Sequence, residues 1–556
     1  MMVRSSHLAT ALLSLALVIG SGTIGAAPAS AAATPQSANP IAGTGTATAR
    51  SVTVAAAART PAAASAQSSV PNPLGRDGRP AGASLPAAPA TGSRPATAKT
   101  ASPANGPNLL PSGSQKLSDT ASSNTATHAA AAAAAAPAAT IQGPTQGGTG
   151  CSNCATPDVT AAASATELAE TVNLQLSVFT PSGGSLCSVS LSSLLGAVTA
   201  LSGPRIQYDP TAGRFSLIID SVPATSGDVA VQYLATSQTS DACGAWWVYS
   251  IIFSISSTYP LGGLLDFPYL GQDNTSILSS TNNYSFINSY LGSAAYAMPK
   301  SAAYTGAPFS ITSYTVAFST APVTVGGIPI ATTANTYWIA AVPGTGYDLY
   351  TMPTNPAGAI SLLETVRDSF TAPTHKISQP GTSELLDPGD GRIGSAAFQD
   401  GNVVWFAHDV DDGGLPTVRY GAISANSGEV STALAYHGGG SDDFNPSIAV
   451  YPAGGGTDYI WVNWAYTDQS AGVAASDTVA GVAPGEGVPE LAGDDLTLVS
   501  GHSTTSDGSF GRYSSAAIDP VAATSSCPVG QTALTAQEYF TAGGLWTTAL
   551  ERTTFC

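Results

Sequence analysis

The chain has 556 residues, of which only 9% are charged, against about 25% in a typical soluble domain. This composition excludes cytosolic helical bundles and coiled coils, which need far more Glu, Lys and Arg. Residues 1–150 contain eight basic and two acidic side chains, so the formal net charge of −18 leaves −24 on residues 151–556. That charge repels phosphate backbones and attracts divalent cations or basic partners, so we expect no nucleic-acid binding.

The N-terminus has the pattern of a secretory signal peptide, which we assign to residues 1–31. Arg4 lies in a short polar start, and residues 8–19 form an apolar run that is too short to span a membrane comfortably. Residues 29–31 (Ala-Ser-Ala) match an A-x-A cleavage site. A membrane anchor is the alternative. We therefore expect a secreted, extracellular protein with no membrane attachment after cleavage.

Residues 32–150 consist mainly of Ala, Pro, Thr, Ser and Gly. They contain too few aromatic and branched side chains to bury the surface that would offset the entropy of ordering. The alanine run at residues 129–136 is shorter than the ~12–15 residues that an isolated helix needs. This low-complexity segment is predicted to be a disordered linker.

An even number of cysteines in an exported chain predicts disulfides. The six cysteines are Cys151, Cys154, Cys187, Cys243, Cys527 and Cys556. We favour a bond between Cys527 and Cys556, which flank the last two strand-like runs. Closing a loop of about 30 residues stabilises by roughly 3–4 kcal/mol. The C-x-x-C spacing of Cys151 and Cys154 also occurs in redox and metal sites, but no second C-x-x-C or nearby histidine accompanies it, which favours a structural bridge.

From about residue 165 onward, short runs of β-branched and aromatic residues alternate with Gly, Pro, Asp and Ser turns, as in residues 246–252 and 459–464. This pattern predicts an all-β domain over residues 151–556. Similar segments recur about every 55–65 residues, a spacing that suits four-stranded blades. We predict a β-propeller with six blades, or seven as the alternative, in which residues 171–190 supply a closing strand beside the last blade.

Three segments carry a family resemblance: Asp266-Phe-Pro-Tyr-Leu-Gly271, Gly389-Asp-Gly-Arg-Ile393 and Tyr513-Ser-Ser-Ala-Ala-Ile-Asp-Pro520. They resemble the blade starts of a family of secreted bacterial β-propeller proteins of unassigned function. The resemblance covers about residues 200–556. It implies the propeller fold and no particular reaction.

The sequence lacks the G-x-S-x-G elbow, the P-loop, the dinucleotide fingerprint and the H-E-x-x-H motif. Asp409, Asp411 and Asp412 before Gly413 come closest to a calcium loop, so Ca²⁺ is the one cofactor that the sequence suggests. The full D-x-D-x-D-G pattern and its closing Glu are missing. Aspartates that build turns by bonding their own backbone are therefore the favoured interpretation.

Several other side chains are assigned structural roles. Arg392 and Arg512 follow glycine at equivalent blade positions, and we expect them, with Asp390, to hold turns together rather than to contact a substrate. Solvated loop positions are expected for His408, His437 and His502. Core positions are expected for Trp461, Trp464 and Trp546.

These patterns favour an extracellular binding or scaffold module, expected to be a monomer, whose partner would be an extracellular protein or a glycan. The alternative is a secreted carbohydrate-active hydrolase or lyase that uses carboxylates at the central channel. An enzyme should gather Asp, Glu, His or Arg from several blades in one concave mouth. A scaffold should have a channel lined by small side chains or backbone.

Overall fold

The computed structural model describes the segments 50–54, 56–59, 140–147, 156–197, 199–223, 230–252, 263–285, 290–355, 357–454, 457–493, 495–505, 508, 510–511, 513–521 and 524–556. The predicted signal peptide, most of the predicted linker, Cys151, Cys154 and Arg512 lie outside these residues. Within them the structure is β throughout except for two short helices, α1 (Leu191–Leu195) and α2 (Lys300–Ala303). Neither helix is long enough to cross a membrane.

Three strands precede the main body of the fold: β1 (Arg50–Val54), β2 (Ala56–Arg59) and β3 (Thr140–Thr145). Each adds to the edge of a sheet formed by later residues. The linker was predicted over residues 32–150, and all three strands lie inside that range. An edge ladder is made by backbone groups, which Ala, Thr and Gly supply as well as larger residues do. Composition alone therefore missed these strands.

After β3, the chain forms consecutive four-stranded antiparallel units, which we call blades. Blade 1 consists of β4 (Val159–Ala163), β5 (Leu168–Val172), β6 (Gln175–Phe179) and β7 (Ser185–Ser190). Blade 2 consists of β8 (Ala200–Asp209), β9 (Arg214–Val222), β10 (Val231–Ser237) and β11 (Trp246–Ile252), with β2 at its outer edge. Blade 3 consists of β12 (Leu264–Gln272), β13 (Ser276–Tyr284), β14 (Tyr290–Pro299) and β15 (Phe309–Val316), with β1 at its outer edge.

Blades 4 and 5 are joined by a short hairpin. Blade 4 consists of β16 (Ala321–Val325), β17 (Asn335–Val342), β18 (Gly346–Pro353) and β19 (Ser361–Arg367). The hairpin pairs β20 (Ile377–Ser378) with β21 (Leu385–Leu386). Blade 5 consists of β22 (Ala397–Asp400), β23 (Val403–Asp412), β24 (Leu415–Ser424) and β25 (Val430–Tyr436).

The last two blades complete the fold. Blade 6 consists of β26 (Asp442–Gly454), β27 (Thr457–Asp468), β28 (Val473–Val482) and β30 (Leu496–Gly501), while β29 (Leu491–Ala492) pairs in parallel with β25 of blade 5. Blade 7 consists of β31 (Ser515–Ile518), β32 (Thr532–Phe540) and β33 (Trp546–Thr554), and β3 is its outer strand.

The innermost strands β4, β8, β12, β16, β22, β26 and β31 form a closed ring. Each contacts the next, and β31 contacts β4. Hydrogen bonds link the ring where the chain returns to its start: Ser515 Oγ accepts the Ala161 amide at 3.1 Å, and Thr160 Oγ1 accepts the Ile206 amide at 3.1 Å. The protein is therefore an all-β propeller, as the sequence predicted.

The strand pairings give seven four-stranded units, whereas the sequence favoured six and kept seven as the alternative. The difference lies at residues 159–190, of which 171–190 were expected to supply a single closing strand. These residues form the whole of blade 1, and β3 supplies the closing strand instead. The β4 sequence, Val-Thr-Ala-Ala-Ala, is fully buried but contains one branched apolar residue, so it carries little strand signal.

The hydrophobic core lies between the faces of neighbouring blades. Its largest fully buried side chains include Trp461, Trp464 and Trp546, which confirms the core positions expected for them. Trp461 Nε1 donates to the Gly530 carbonyl at 3.1 Å, and Trp464 Nε1 donates to Asp443 Oδ1 at 2.9 Å. These indoles are buried with their N–H groups bonded, so they cannot form a sugar-stacking surface.

The motif Asp266–Gly271 has a structural explanation at the start of β12. The register with β13 shifts between Asp266 and Tyr269, and Phe267 takes a positive φ of 58° at this bulge. At Gly271 an added Cβ would lie 2.3 Å from the Val323 carbonyl oxygen of β16. The glycine is thus needed because the inner strands of blades 3 and 4 approach closely there.

Two disulfides join parts of the propeller. Cys187 on β7 is bonded to Cys243 in the β10–β11 loop and so connects blade 1 to blade 2, with 6.1 Å between the Cα atoms. Cys527 is bonded to Cys556, the pairing that the sequence favoured, with 5.7 Å between the Cα atoms. The second bond ties the C-terminus to the β31–β32 loop of blade 7.

Candidate functional site

A cavity lies on the propeller axis and is lined by residues from all seven innermost strands. We call it the axial cavity. Its empty volume is about 990 Å³ with the mouth included. Its lining comprises residues 160–163, 205–208, 210, 270, 272, 324–328, 330, 395, 396, 398, 448, 450, 451, 514–518 and 520.

The axial cavity is lined mainly by small and apolar side chains. Among the described residues, the lining contains no Asp, Glu, His or Lys, and Arg205 is the one charged residue. Alanines 161–163 and Ala516–Ala517 leave backbone close to the surface, while Leu270, Val325 and Ile448 supply apolar walls.

Arg205 lines the cavity and is only 4% exposed, and we call its contacts with blades 3, 5 and 7 the axial closure. Its Nε donates to the Pro268 carbonyl at 2.9 Å in blade 3, and one terminal nitrogen donates to the Gly394 carbonyl at 2.8 Å just before β22. The guanidinium carbon lies 3.3 Å from the ring centroid of Tyr513 in blade 7. Arg205 therefore ties blade 2 to three other parts of the ring across the axis.

Gly203 leaves room for this closure. Its φ is +68°, and an added Cβ would lie 2.8 Å from Pro268 Cδ and 3.2 Å from the Tyr513 hydroxyl. A side chain at this position would push both groups away from the axis. A glycine is required by its backbone conformation as well as by the space.

The lining residues differ in burial. Thr160, Arg205 and Ser514 are buried, whereas Pro210, Ile328 and Pro520, which each follow the end of an inner strand, are partly exposed. The cavity is therefore accessible on the face where these inner strands end.

Two polar atoms in the lining have no hydrogen-bond partner: Ser514 Oγ and Gln207 Oε1. The amide nitrogen of Gln207 is engaged, since it donates to the Gly271 carbonyl at 3.0 Å. Ser514 is only 1% exposed. Neither atom is accessible to solvent, so both are exceptions to the rule that buried polar atoms are bonded.

The arginine predicted to hold a turn does bond its neighbour. Arg392 Nε donates to Asp390 Oδ1 at 2.7 Å, and the guanidinium carbon lies 4.5 Å from the Phe267 ring centroid and 4.7 Å from that of Phe318. The side chain is 8% exposed. Arg392 thus also packs blade 5's entry segment against blade 3, a contact that a local sequence pattern could not reveal.

The calcium candidates lie along β23 and at its end. Asp409 Oδ1 accepts the Asn445 amide of blade 6 at 3.0 Å. Asp411 accepts the Thr374 hydroxyl at 2.7 Å and the Gly414 amide at 2.9 Å, and Asp412 is the last residue of the strand. Over the part of the chain that is described, no three His, Cys, Asp or Glu side chains are grouped to hold a metal. Calcium at this turn stays a prediction of the sequence.

The three histidines lie apart, and the expectation of solvated positions is wrong for His408. This residue is fully buried. Its Nε2 lies 3.0 Å from Tyr347 Oη, and its Nδ1 lies 3.2 Å from the Asp409 carbonyl oxygen. Burial lowers the pKa of His408 to about 3, so it is neutral. His408 is buried because it lies in the middle of β23, a strand that packs against neighbouring blades. His437 is 36% exposed and His502 is exposed.

Buried carboxyl groups lie between blades and not in the axial cavity. Burial raises the pKa of Glu170 to about 8 where it faces Thr548 of blade 7, and that of Asp458 to about 8 beside Asp400 of blade 5. Burial likewise raises the pKa of Asp220 to about 7, although Gln232 and Thr281 bond it. The sequence did not single out these residues, because an acid on a strand looks like an ordinary solvent-facing position.

The fold and the cavity define a propeller with an axial cavity in whose described lining Arg205 is the one charged residue. No protein-family model and no curated protein matches the chain. Among solved structures, an α-L-arabinanase of Penicillium chrysogenum is 8% identical with a TM-score of 0.30, over 63% of this chain and 92% of that one. A Trypanosoma rangeli sialidase is 8% identical with a TM-score of 0.34, over 70% of this chain and 57% of the sialidase chain. A Bacillus halodurans xylan β-1,4-xylosidase is 12% identical with a TM-score of 0.28, over 61% of this chain and 53% of the xylosidase chain. The chain spans little more than half of the last two, and likeness at this level says nothing about activity.

Proposed function

We propose that this protein is an extracellular binding module that takes an uncharged, largely apolar ligand into the axial cavity. The lining carries this proposal, because seven strands contribute to one concave cavity and only one of its described residues is charged. Concave, mostly apolar wells with few polar groups are the usual form of small-molecule sites.

Hydrolysis inside the cavity is disfavoured by the chemistry of its lining. Glycoside cleavage generally uses two carboxyl groups about 5–10 Å apart. No carboxyl group is found among the described lining residues, and Arg205, the one arginine among them, already donates to two backbone carbonyls. The buried carboxyls, such as Glu170 and Asp458, serve blade interfaces instead.

The extracellular part of the proposal has separate support. Two disulfides join residues within the propeller, and such bonds persist in oxidising compartments. The first 31 residues have the pattern of a signal peptide. Secretion is tested by expressing the full chain in a secreting host and recovering it, processed near residue 31, from the medium.

Ligand binding is tested on the purified protein with Prodan, an uncharged dye whose emission shifts to the blue in apolar surroundings. Ala517 lines the cavity, so Ala517→Trp should fill the well and reduce Prodan affinity at least tenfold. The exposed Ala492 on β29 provides the matched control, and Ala492→Trp should leave binding unchanged.

Equal Prodan binding by the wild type and Ala517→Trp would contradict the proposal. A screen of polysaccharides with the same preparations tests the alternative enzyme class. Turnover that is lost in Ala517→Trp and kept in Ala492→Trp would replace the binding module with a hydrolase or lyase.

A further inference from the structure

We propose that the ligand of the axial cavity is an extended peptide with small or apolar, uncharged side chains, which binds by adding a strand to the inner edge of β31. This inference rests on the proposed function, because it names the chemical class of ligand for the same cavity. The backbone of blade 7, where that blade meets the axis, carries the inference.

The inner edge of β31 presents backbone groups in the pattern that a pairing strand requires. β31 is the innermost strand of blade 7, and it pairs in register with β32 alone. Just past its end, the Asp519 amide donates to the Thr532 carbonyl of β32 at 3.1 Å. Alternate residues of an antiparallel strand bond the partner, and the residues between them point their N–H and C=O groups away from it. Ala516 and Ile518 therefore point these groups toward the axis.

These backbone groups have no partner in the described part of the chain. No hydrogen bond joins the N–H or C=O group of Ala516 or Ile518 to another described residue. All four residues of β31 are partly exposed and line the axial cavity, whereas the neighbouring inner strand β4 is fully buried. An unpaired strand edge is a template for another strand. The edge of β31 is thus open to a ligand that has a backbone of its own.

Neighbouring inner edges are bonded within the protein. β16 pairs in parallel with both β12 and β22. On β4, the Ala161 amide donates to Ser515 Oγ at 3.1 Å, and that hydroxyl donates to the Ala161 carbonyl at 3.1 Å. On β8, the Tyr208 carbonyl accepts the side-chain amide of Gln272 at 2.8 Å. An added peptide strand would give β31 what side chains and strands give these edges.

The lining around this edge sets the side chains of the peptide. Alanines on β31 and on β4 leave room beside the edge, and Ile448 and Val450 of β26 supply apolar walls. A charged side chain would lose its hydration there without gaining a counter-ion, because Arg205 is the one charged residue in the described lining and already donates to two carbonyls. When a peptide adds to a sheet edge, backbone bonds supply affinity and the surroundings of its side chains supply specificity. The four residues of β31 extend about 13 Å, which a peptide of about five residues covers.

The test is competition against bound Prodan by two capped peptides. One is acetyl-Ala-Val-Ala-Val-Ala-amide, and the other is the same peptide with every residue N-methylated. The methylated peptide is the more apolar of the two, but its residues have no N–H groups to donate to a strand edge. The unmethylated peptide should displace Prodan at a concentration at least tenfold lower. Equal displacement, or better displacement by the methylated peptide, would overturn the inference.

Two variants of Ala516 tie this preference to the edge of β31. Ala516→Pro removes an N–H group that points away from β32, so the pairing of blade 7 is kept while the edge loses a donor. The preference for the unmethylated peptide should fall at least threefold. Ala516→Val adds a side chain of similar size and retains the N–H group, so the preference should stay at tenfold or more. Thermal unfolding verifies that both variants are folded, and the peptide pair tests the wild type independently of them.

The outcomes separate this inference from the proposed function. If Prodan does not bind the wild type, the proposed function fails. If Prodan binds and Ala517→Trp removes it, but neither peptide competes, both compete equally, or a folded Ala516→Pro keeps the full preference, the proposed function stands and the peptide inference is overturned.

Discussion

The carboxyl groups buried between blades should make this protein less stable as pH rises from about 5 to 8. Glu170 is the clearest case, since it is fully buried in blade 1 against Thr548 of blade 7. Burial raises its pKa from 4.5 to about 8, so it is protonated in the folded protein at neutral pH. The folded state then binds a proton that the unfolded state has released, and stability falls as pH rises through this interval.

The magnitude follows from the two pKa values. Each pH unit between them changes the free energy of unfolding by about 1.4 kcal/mol. Glu170 therefore makes the free energy of unfolding at pH 8 at most about 5 kcal/mol lower than it is below pH 4.5. Asp458 and Glu551, whose pKa values burial raises to about 8 and about 7, change stability in the same direction.

Urea unfolding at pH 5, 6, 7 and 8 measures this effect. When the dependence of the free energy of unfolding on urea concentration is the same at each pH, a lower midpoint concentration of urea reports lower stability. Glu170→Gln keeps the shape of the side chain without its titration, so its midpoint should fall less steeply with pH than that of the wild type. The exposed Glu384 supplies the control, and Glu384→Gln should follow the wild-type curve. Parallel pH dependences for Glu170→Gln and the wild type would refute the reasoning.

Two further perturbations test the architecture. Replacing Cys187 and Cys243 together by serine removes a disulfide that closes a loop of 56 residues, and it should lower the free energy of unfolding, measured in urea, by about 4 kcal/mol. A decrease of less than about 1 kcal/mol would contradict a stabilising role for the bond between blades 1 and 2. Gly203→Ala should cost about 2–4 kcal/mol, since it adds a clash with the axial closure to a positive φ. Gly401→Ala, with φ +54° and open space around its Cβ, isolates the conformational part and should cost only about 1–2 kcal/mol in the same assay.

The sequence predicted the fold class because strand signals come from side chains that face neighbouring blades. Runs such as β11 and β27 carry the buried tryptophans and branched residues that make a strand recognisable. Blade 1 was missed as a unit because the alanines of β4 fit against close neighbours and need no large side chain. The strand β3 was missed because its contribution to the edge of blade 7 is made by backbone.

The site was harder to predict than the fold. The sequence drew attention to acids at turns, but the structure uses Asp411 to bind Thr374 and Gly414. The axial cavity is made of unremarkable residues, such as Ala517 and Ser514, whose importance comes only from their convergence around one axis. One sequence feature pointed to Arg205: it is an arginine that follows Gly203 and Pro204 on the first strand of a blade.

The distribution of charge explains why the acid-rich sequence and the uncharged cavity belong to one molecule. Inner strands meet around the axis with little space between them, as at Gly271, so the axis favours small side chains. Carboxyl groups such as Glu170 and Asp220 instead occupy the wider spaces between second and later strands, where burial keeps them protonated near neutral pH. Exposed acids such as Glu384 face solvent and repel anions from the surface. The uncharged ligand that we propose for the axial cavity would cross this surface without an electrostatic cost and would meet a described lining with no carboxylate to act as a counter-ion.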